Sequence, residues 1–519
     1  MAACSLAAVA LVAPLSGPAA QAAQHGVLGT ERWTTQSVAP GVTVRTVTIT
    51  NAGRTPYWTV AVEQPGTSPL TGAATAAEVG PPSWAATAAG QVRAAGFQPR
   101  IEDVRWPDYA DTPHGPMGQR VRVGAYSTQA DAQTAATAIR KAGLTTAVVW
   151  TGYDIQQPAD LENIHVAVID PRVFRGKVRV THDGNVAQRE TTSAVASKLG
   201  SLVATNGGFF VTSSSDGVQG IQSGLGVHAG RLAAMASGSR AALVVRHDGR
   251  SFGIENLTST VTVRAGAASF AAQGVNRTPG LVRDCGRPNS VPTTHPVQDV
   301  TCTAADDLVV FTPEYGVALP TGTGVQVVLD GGGRVVSAGA RGGTVPAGGV
   351  VLQGIGTAAT WLTVNAQVGG RLRLAESVRD AATGRPVTLG DGGTSIASAA
   401  PVLVRDGRIR IDAAAEGVVD PADLSFGYAW ANDRQPRTIA GITARGALIL
   451  VTVDGRVAGG SEGFTLYEEA AFMRSLGAVQ AMNLDGGGST AMAVDGKLVN
   501  NTSDATGERA VGDTVQVLP

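Results

Sequence analysis

Residues 483–490 read Asn-Leu-Asp-Gly-Gly-Gly-Ser-Thr and lie at the end of a strand predicted over residues 478–484. Three consecutive glycines weaken a strand, so such a run marks a bulge, a tight turn or a close approach to a ligand. The same stretch carries one carboxylate, Asp485, and two hydroxyls, Ser489 and Thr490. A fold has little structural need for this combination at a strand end, so we predict a functional site there.

A helix is predicted just before this strand. Thr465 and Glu468 have the spacing of a capping box, in which the two side chains satisfy the first free amides of a helix. Gly477 supplies the C-terminal cap, and apolar residues recur at helical spacing between the caps. With the predicted strand 451–453, the unit is strand, helix, strand, and the glycine run stands at the carboxyl end of its last strand. Open sheets bind ligands at such ends.

Most of the remaining chain is predicted to form short strands joined by Asp-Gly turns, the strongest short-range hairpin signal. The 67 glycines and 5% aromatic residues also favour a turn-rich β fold. Asp-Gly pairs stand between apolar runs at residues 248–249, 406–407, 454–455 and 495–496, and residues 330–333 are predicted to be a hairpin loop as well. These turns explain most Asp-Gly pairs without chemistry.

Composition predicts an exported protein of two or three domains, because 519 residues with 43% hydrophobic side chains can bury one large core or several smaller ones. The net charge of −1 gives no positive electrostatic field that would attract nucleic acid or an anionic membrane surface. An apolar run over residues 6–15, followed by Ala-Gln-Ala at 20–22, predicts a signal peptide over residues 1–22; a buried helix is the alternative. No other run is long enough to span a bilayer, so the expected location is secreted or cell wall associated.

Cys285 and Cys302 are the two cysteines that remain after this cleavage, 17 positions apart in a loop-like segment. In an oxidising compartment the pair is more typical of a disulfide than of a metal site or a nucleophile, since no nearby cluster of Cys and His completes a ligand set.

Residues 52–155 are predicted to form a small insert with the element order βαββαβ, the ferredoxin-like plan. Its second half, with the strand Arg-Val-Arg-Val-Gly-Ala-Tyr at 120–126 and an alanine-rich helix over 128–142, resembles a SPOR domain, a family that binds peptidoglycan glycan strands lacking stem peptides. An α/β insert without that role is the alternative. Residues 23–51 are expected to pair with the domain after the insert. Few contacts are expected to cross the insert's boundaries, so its excision should leave a core that folds.

Residues 160–519 resemble the phosphodiester glycosidase family through motifs in the family's order. These are Asn-Gly-Gly-Phe-Phe at 206–210, Pro-Arg-Thr-Ile-Ala-Gly at 436–441, the predicted helix 465–477, the stretch 483–490, and Asn500 with Glu508-Arg509. The resemblance implies a hydrolase of glycosyl-phosphodiesters with an α+β fold, whose catalytic domain is a β-rich mixed sheet with few helices. Gly512-Asp513 departs from the Asn-Ala type pair expected near the C-terminus.

A sugar 1-phosphodiester joins a phosphate to an acetal carbon, so its hydrolysis needs cationic or amide donors and a carboxylate. Asp485 is the predicted acid/base residue, with a turn residue as the alternative. Arg437 and Arg509 can offer planar forks to phosphate, although surface ion pairing is the competing interpretation. The amides of residues 486–488 are predicted to form an anion-binding nest.

The remaining site predictions follow the same motifs. Asn206 is predicted to hold a sugar hydroxyl or a phosphate oxygen, unless it is an ordinary Asn-Gly turn residue, and Glu468 either caps its helix or faces the site. The predicted substrate-binding set is Gly207, Gly208, Thr438, Gly486, Gly487, Gly488, Ser489, Thr490, Arg509 and Asp391. No cofactor is predicted, and a divalent cation stays an open alternative.

Two functions of different class follow. The first is an exported hydrolase of glycosyl-phosphodiesters in cell-envelope or extracellular glycans, carried to peptidoglycan by its insert. The second is a non-catalytic cell-wall carbohydrate-binding protein. The joint presence of Asp485, Arg437 and Asn206 favours the enzyme, because a protein that only binds has no need of acid/base and phosphate-binding groups together.

Overall fold

The structure is a computed structural model that describes residues 24–53, 55–154 and 160–519. The predicted signal peptide therefore lies outside the described residues. Within these ranges the chain forms 36 strands and five α-helices, so the predicted β-rich α+β fold is confirmed. The helices are α1 (Pro82–Ala94), α2 (Gln129–Arg140), α3 (Thr192–Leu199), α4 (Thr357–Asn365) and α5 (Leu466–Ser475). In the described ranges no helix has the length and apolar character that a membrane crossing requires.

Nine antiparallel strands form the largest sheet, and its central strands are almost entirely buried. Helix α5 packs on this sheet through Leu466, Ala470 and Met473, as its predicted periodicity requires, and its capping box between Thr465 and Glu468 is formed. Across the sheet the strands are Gln24–His25, Thr30–Ala39, Val42–Thr50, Leu161–Ile169, Leu448–Val453, Arg437–Thr443, Ala478–Asn483, Val402–Arg405 and Arg408–Ile409.

The predicted strand–helix–strand unit is present, but its two strands are not neighbours. Arg437–Thr443 lies between Leu448–Val453 and Ala478–Asn483 and is antiparallel to both. The glycine run therefore begins at the end of a central strand of an antiparallel sheet. That position brings residues 483–490 close to the end of Val203–Asn206, which belongs to a second sheet.

The second sheet has five strands, in the order Lys177–Thr181, Thr514–Leu518, Val203–Asn206, Met492–Val494 and Lys497–Leu498. An eight-stranded sheet contains Arg231–Ala234, Gly226–His228, Ser395–Ser398, Ala241–Val245, Phe252–Ala265, Arg373–Asp380 and Pro386–Val387, with Ala268–Ala272 paired to its longest strand. A further five-stranded sheet contains Gly274–Val275, Asp307–Phe311, Val350–Ile355, Val325–Leu329 and Val335–Gly339. Two short pairs join Leu281–Cys285 to Pro296–Thr303 and Glu190–Thr191 to Ala510–Val511.

Most predicted hairpins are confirmed. Asp406 and Asp495 adopt left-handed backbone conformations, each followed by a glycine that does the same, as tight hairpin turns require. Residues 330–333 connect two paired strands, as predicted. The prediction at residues 454–455 is wrong, because Leu448–Val453 has no hairpin partner after Gly455. The chain instead turns at Arg456, whose φ of 61° is left-handed, and runs to α5.

The insert has the predicted βαββαβ order and a ferredoxin-like sheet. Across it the strands are Pro99–Arg105, Pro116–Tyr126, Trp58–Thr67 and Thr145–Trp150, with Ala74–Ala77 added along the outer part of Trp58–Thr67. Helices α1 and α2 pack on this sheet largely through alanines, which lets them lie close to it.

The insert leaves and re-enters the largest sheet at adjacent positions, because Thr50 pairs with Leu161 and the Asn51 amide donates to the carbonyl of Asp160 at 3.1 Å. The prediction that few contacts cross this boundary is wrong. Trp150 Nε1 donates to Glu462 Oε1 at 3.2 Å, and Arg434 Nη1 donates to the carbonyl of Gly152 at 2.8 Å. The insert is therefore docked on the rest of the protein through buried polar contacts.

Candidate active site

A polar cavity of about 190 Å³ opens at the end of Ala478–Asn483, where the sequence predicts the site. Three distant segments meet the glycine run there: the residues after Val203–Asn206, the disulfide-bonded hairpin around Asp284 and Asp299, and the turn at Arg456. Its lining consists of Phe209, Phe210, Thr212, Ser223, Asp284, Gln298, Asp299, Trp430, Arg456, Asp485, Gly486, Gly487, Gly488 and Arg509.

Asp485 lines this cavity and is half-buried. Burial is the main cause that raises the pKa of its carboxyl to about 7, and the nearby charge of Asp299 contributes to the same shift. The Ser489 hydroxyl, the charge of Arg509 and the Gly486 amide act in the opposite direction on this pKa. A carboxyl that titrates near neutral pH can both give and take a proton, so the environment of Asp485 suits acid/base chemistry.

Two arginines lie directly over the glycine run. A β-carbon on Gly487 would stand 3.2 Å from Nη2 of Arg456, and one on Gly488 would stand 2.1 Å from Nη2 of Arg509. Burial, and then repulsion by Arg509, lower the pKa of Arg456. A side chain at either glycine would meet a guanidinium group, so the glycines let both cations approach the turn.

The two arginines differ in how far they are already engaged. Arg509 donates through Nε and Nη2 to both carboxylate oxygens of Asp504, at 2.8 and 3.0 Å. Within the described part of the chain, the Arg456 side chain hydrogen-bonds only Gln435, through Nε at 2.7 Å. Arg456 therefore keeps its terminal nitrogens for a ligand and is the better phosphate candidate.

The predicted nest of three free amides is not formed. The Gly486 amide donates to Asp485 Oδ1 at 3.0 Å, and the Gly487 amide donates to the carbonyl of Pro436 at 2.9 Å. Both bonds close the turn on itself and fix Asp485 against the strand end. Of these three amides, only that of Gly488 has no hydrogen-bond acceptor among the described residues and is left for an anion.

The disulfide-bonded hairpin supplies two further carboxylates. Cys285 and Cys302 form the predicted disulfide, with Cα atoms 5.0 Å apart. Asp284 is buried and accepts from Arg240 Nη1 at 2.6 Å and from the Asp299 amide at 2.9 Å. Asp299 projects into the cavity, with 75% of its side chain exposed, and pairs with Arg283. Desolvation of the Asp299 carboxyl by the protein around it, and then the charge of Asp284, raise the pKa of Asp299.

The backbone of this hairpin is strained where it meets the cavity. Asp284, Cys285 and Asp299 all adopt left-handed conformations, at φ of 63°, 52° and 60°. A residue other than glycine raises its conformational energy when it adopts the left-handed backbone conformation. It keeps this conformation only when the surrounding structure fixes it, and such residues are common at functional sites. The disulfide and the Arg240 ion pair supply that constraint.

An aromatic wall faces the charged side of the cavity. Trp430 belongs to a short π-helix, Tyr428–Asn432, and its ring meets that of Phe209 edge-on with centroids 6.1 Å apart. Beneath Trp430, the Arg437 guanidinium carbon lies 4.8 Å from the ring centroid. Such a wall is suited to the apolar face of a sugar ring.

Arg437 does not reach the cavity, contrary to its predicted role in phosphate binding. It is completely buried, donates through Nε to the carbonyl of Phe464 at 2.8 Å and through Nη2 to that of Trp430 at 2.6 Å, and pairs with Glu469. Its guanidinium therefore holds the segment that carries Trp430.

Asn206 and Thr438 are buried behind the site and bind each other rather than the cavity. Asn206 Nδ2 donates to the carbonyl of Asp485 at 2.6 Å, and its Oδ1 accepts from the Thr438 hydroxyl at 2.7 Å and the Ala491 amide at 3.1 Å. All the hydrogen-bonding atoms of the Asn206 amide are thus engaged. Both residues therefore position the turn that carries Asp485. This supporting role takes the place of the substrate contact that the sequence predicts for them.

Gly207 and Gly208 are glycines because the backbone is crowded, not because a substrate approaches them. A β-carbon would stand 2.3 Å from Asp513 Oδ1 at Gly207 and 2.4 Å from the carbonyl of Ser398 at Gly208. The Gly208 amide donates to Asp513 Oδ1 at 2.8 Å. Asp513, the residue that departs from the family pattern, is therefore part of this support, and burial raises its pKa to about 7.

The other predicted site residues either stabilise the structure around the site or belong to turns outside it. Glu468 is engaged by Arg434 and by the helix cap, so it does not face the cavity. Asp391 closes its own turn by accepting from the amides of Gly393 and Thr394 and is not one of the residues that line the cavity. The Thr490 carbonyl accepts from Asn500 Nδ2 at 3.2 Å.

Sequence reasoning missed Asp284, Asp299, Arg456 and Trp430. Arg456 had one detectable signal: no second apolar run follows residues 454–455, as a hairpin would require. The others lie in segments whose proximity depends on long-range folding. In the described ranges, no group of three or more His, Cys, Asp or Glu side chains is arranged to hold a metal ion.

Comparison with known proteins relates part of the chain to a glycosidase family. Residues 323–518 match the family model of the phosphodiester glycosidases. A 90-residue segment is 44% identical to the SPbeta prophage-derived uncharacterized protein YomE of Bacillus subtilis (strain 168), covering 17% of this chain and 14% of that protein. Another of 73 residues is 40% identical to the N-acetylglucosamine-1-phosphodiester alpha-N-acetylglucosaminidase of Mus musculus, covering 14% of each. The chain thus spans only a small part of these two relatives.

A solved structure matches over nearly the whole chain. The crystal structure of the Burkholderia pseudomallei K96243 protein named "Putative exported protein" is 31% identical, with a TM-score of 0.82, and the match covers 97% of this chain and all of that one. A hypothetical protein from Synechocystis, 16% identical with a TM-score of 0.53, shares the fold. By the match of residues 323–518 to the family model and the segment shared with the Mus musculus enzyme, the chain carries a phosphodiester glycosidase domain, which belongs to a family of glycosidase hydrolases.

Proposed function

We propose that this protein is an exported hydrolase that cleaves glycosyl-phosphodiesters in cell-envelope or extracellular glycans. One observation carries the proposal: a carboxyl with a pKa of about 7, Asp485, shares a cavity with the two cations Arg456 and Arg509. A sugar 1-phosphodiester has two features that match these groups. Its negative phosphate matches the two cations, and its acetal oxygen, which needs a proton, matches the carboxyl.

The chemistry assigns a separate task to each group. Arg456 and the Gly488 amide hold the phosphate, and Arg509 adds its charge. Protonated Asp485 donates its proton to the oxygen that leaves the sugar carbon, and water supplies the hydroxyl that replaces it. Asp299, which projects into the same cavity, is the second carboxylate and stabilises positive charge on the sugar ring or takes a proton from the water.

Location and targeting form the second part of the proposal. The predicted leader and the similarity to a Burkholderia pseudomallei protein named as exported support secretion. The ferredoxin-like order of the insert and the SPOR resemblance of residues 120–142 support binding to peptidoglycan glycan strands. The insert then places the cavity near wall glycans.

The catalytic proposal is tested by supplying the purified protein with a panel of sugar 1-phosphodiesters, with and without a chelator. We expect release of the free sugar from at least one member and loss of that release in Asp485→Asn. Binding of the sugars without any cleavage would favour the second candidate, a carbohydrate-binding protein of the wall. A loss of activity with the chelator would show that a divalent cation takes part.

Wall targeting is tested with the full-length Asp485→Asn protein, which cannot cleave its ligand. We expect it to sediment with peptidoglycan sacculi whose stem peptides have been removed and less with intact sacculi. Equal recovery in the supernatant with both preparations would contradict targeting by the insert and leave the catalytic proposal standing.

A further inference from the structure

The π-helix that carries Trp430 is held in place by the insert. Tyr428, its first residue, is buried in a small apolar cluster with Val79 and Val104 of the insert. A π-helix is rare, and single turns of it are frequent at functional sites. One wall of the cavity is therefore built on a segment whose far side packs against a different module.

Tyr109 makes the most direct contact between the insert and this segment. It lies in the loop between Pro99–Arg105 and Pro116–Tyr126, yet its side chain is completely buried in the large core. Its hydroxyl donates to Asn432 Oδ1 at 2.8 Å and also lies 3.1 Å from the carbonyl of Ala431. These two residues directly follow Trp430.

The loop around Tyr109 is itself fixed to the catalytic domain. The Ala110 amide donates to the carbonyl of Ile411 at 2.8 Å, and Asp111 Oδ2 accepts from the Ala415 amide at 2.7 Å. The loop that carries Tyr109 is thus hydrogen-bonded to the catalytic domain at Ala110 and Asp111. A hydroxyl that is fully buried and bonded in this way restricts the backbone it holds.

Trp430 is held from its other side by Arg437, whose Nη2 donates to the carbonyl of Trp430 at 2.6 Å. The ring is therefore fixed between a buried cation below it and the backbone that follows it. Because Phe209 meets the ring edge-on, a shift of residues 431–432 would move the ring relative to both Phe209 and the cavity.

We propose that Tyr109 is a positioning residue of the active site, which acts through Asn432 to fix Trp430 as the platform for the sugar ring of the substrate. The insert then has a task in catalysis besides targeting. The part that concerns the sugar ring rests on the proposed function, whereas the link from Tyr109 to Trp430 does not.

The link is tested by hydrogen exchange on the full-length protein. Tyr109→Phe removes only the hydroxyl, and Tyr57→Phe is the matched control, because Tyr57 lies in the same insert and its hydroxyl contacts only Arg100, at 3.4 Å, within the described residues. We expect faster amide exchange over residues 428–433 in Tyr109→Phe alone. Unchanged exchange there would overturn the link whether or not the protein is an enzyme. Asn432→Ala removes the same bond from its other end and should reproduce the result.

The catalytic consequence is tested by kinetics on a small soluble sugar phosphodiester. We expect Tyr109→Phe to lower kcat/KM by about three- to tenfold, mainly through KM, which is the effect of losing one neutral hydrogen bond that orients the binding wall. In a Trp430→Phe background the same substitution should change kcat/KM by less than about twofold, because coupled residues are not additive. Equal effects in both backgrounds would overturn the role through Trp430. A wild type without activity would end the proposed function and the sugar-platform assignment, and the exchange result would still decide the link.

Discussion

Nη2 of Arg509 lies so close to the backbone of Gly488 that a β-carbon at that residue would stand only 2.1 Å from it. A β-carbon on Gly487 would stand 3.2 Å from Arg456, a tight contact rather than a clash, and Gly487 has a positive φ of 58°. The absence of side chains at these two glycines therefore lets two cations approach the turn that carries Asp485. The site combines one proton donor and two cations within a few residues because the turn has no side chains to separate them.

Asp485→Asn should lower kcat by about a hundredfold or more, because it removes the proposed proton donor while keeping the shape of the side chain. The measurement is turnover of a sugar 1-phosphodiester, with circular dichroism to verify the fold. Asp406→Asn is the matched control, since Asp406 occupies an Asp-Gly hairpin turn away from the cavity lining. Near-normal turnover in Asp485→Asn would return Asp485 to the role of a turn residue.

Arg456→Lys should weaken phosphodiester substrates by about tenfold or more relative to neutral aryl glycosides, because lysine keeps the charge but loses the planar fork. The measurement is kcat/KM on one substrate of each type. Arg408→Lys, in the exposed part of a hairpin, is the control. Equal losses on both substrates would mean that Arg456 supports the fold and does not bind phosphate.

Arg437→Lys should behave differently, because Arg437 is buried and its guanidinium bonds the carbonyls of Phe464 and Trp430. We expect a loss of stability of about 2 kcal/mol or more, since a lysine leaves these buried carbonyls without their donors. Urea unfolding measures this loss, and activity on phosphodiesters and neutral glycosides should fall in parallel. A selective loss on phosphodiesters with unchanged stability would restore Arg437 to phosphate binding.

The free energy of unfolding should fall as the pH rises from 6.5 to 8. Burial raises the pKa of Asp485 and Asp513 to about 7 and that of Glu469 to about 8. Such groups contribute stability that is complete below their unfolded pKa, near 4, and is lost as the pH rises through the folded value. Each extra proton bound by the folded state corresponds to about 1.4 kcal/mol per pH unit.

Three histidines act with the opposite sign. Burial lowers the pKa of His165 and His182 from 6.5 to about 4, and that of His228 is lowered as well, so the stability that they contribute is lost as the pH falls through about 6.5. This contribution is the same in the wild type and in Asp485→Asn, so the difference between the two proteins in urea titrations at pH 6.5 and 8 isolates Asp485, and Asp485→Asn should flatten the slope. An equal slope in both proteins would contradict the raised pKa of Asp485.

Replacing Cys285 and Cys302 together by serine should reduce both stability and turnover. The disulfide closes a segment with a sequence separation of 17, for which chain entropy predicts a loss of about 3 kcal/mol. Turnover should also fall because Asp284 adjoins Cys285 and holds the Asp299 amide. Unfolding and kcat of the variant, beside the wild type with and without reductant, measure both effects; full activity after reduction would remove the hairpin from the site.

The sequence by itself determined the parts of the fold that local chemistry controls. The capping box of α5, the Asp-Gly hairpins at residues 406–407 and 495–496, and the βαββαβ order of the insert follow from backbone conformation and periodicity within short segments. The disulfide and the position of Asp485 at a strand end were likewise predictable, because Cys pairing and a glycine run restrict the chain locally.

Only the tertiary structure decided which side chains meet. The sequence motifs assign phosphate binding to Arg437 and not to Arg456, but strand pairing buries the first beneath Trp430 and turns the second over Gly487. Asp299 comes from a hairpin about 186 residues before Asp485, and Tyr109 reaches Asn432 across 323 residues. Contacts at such separations depend on how sheets stack and how the insert docks, and no periodicity or turn signal within one segment records that choice.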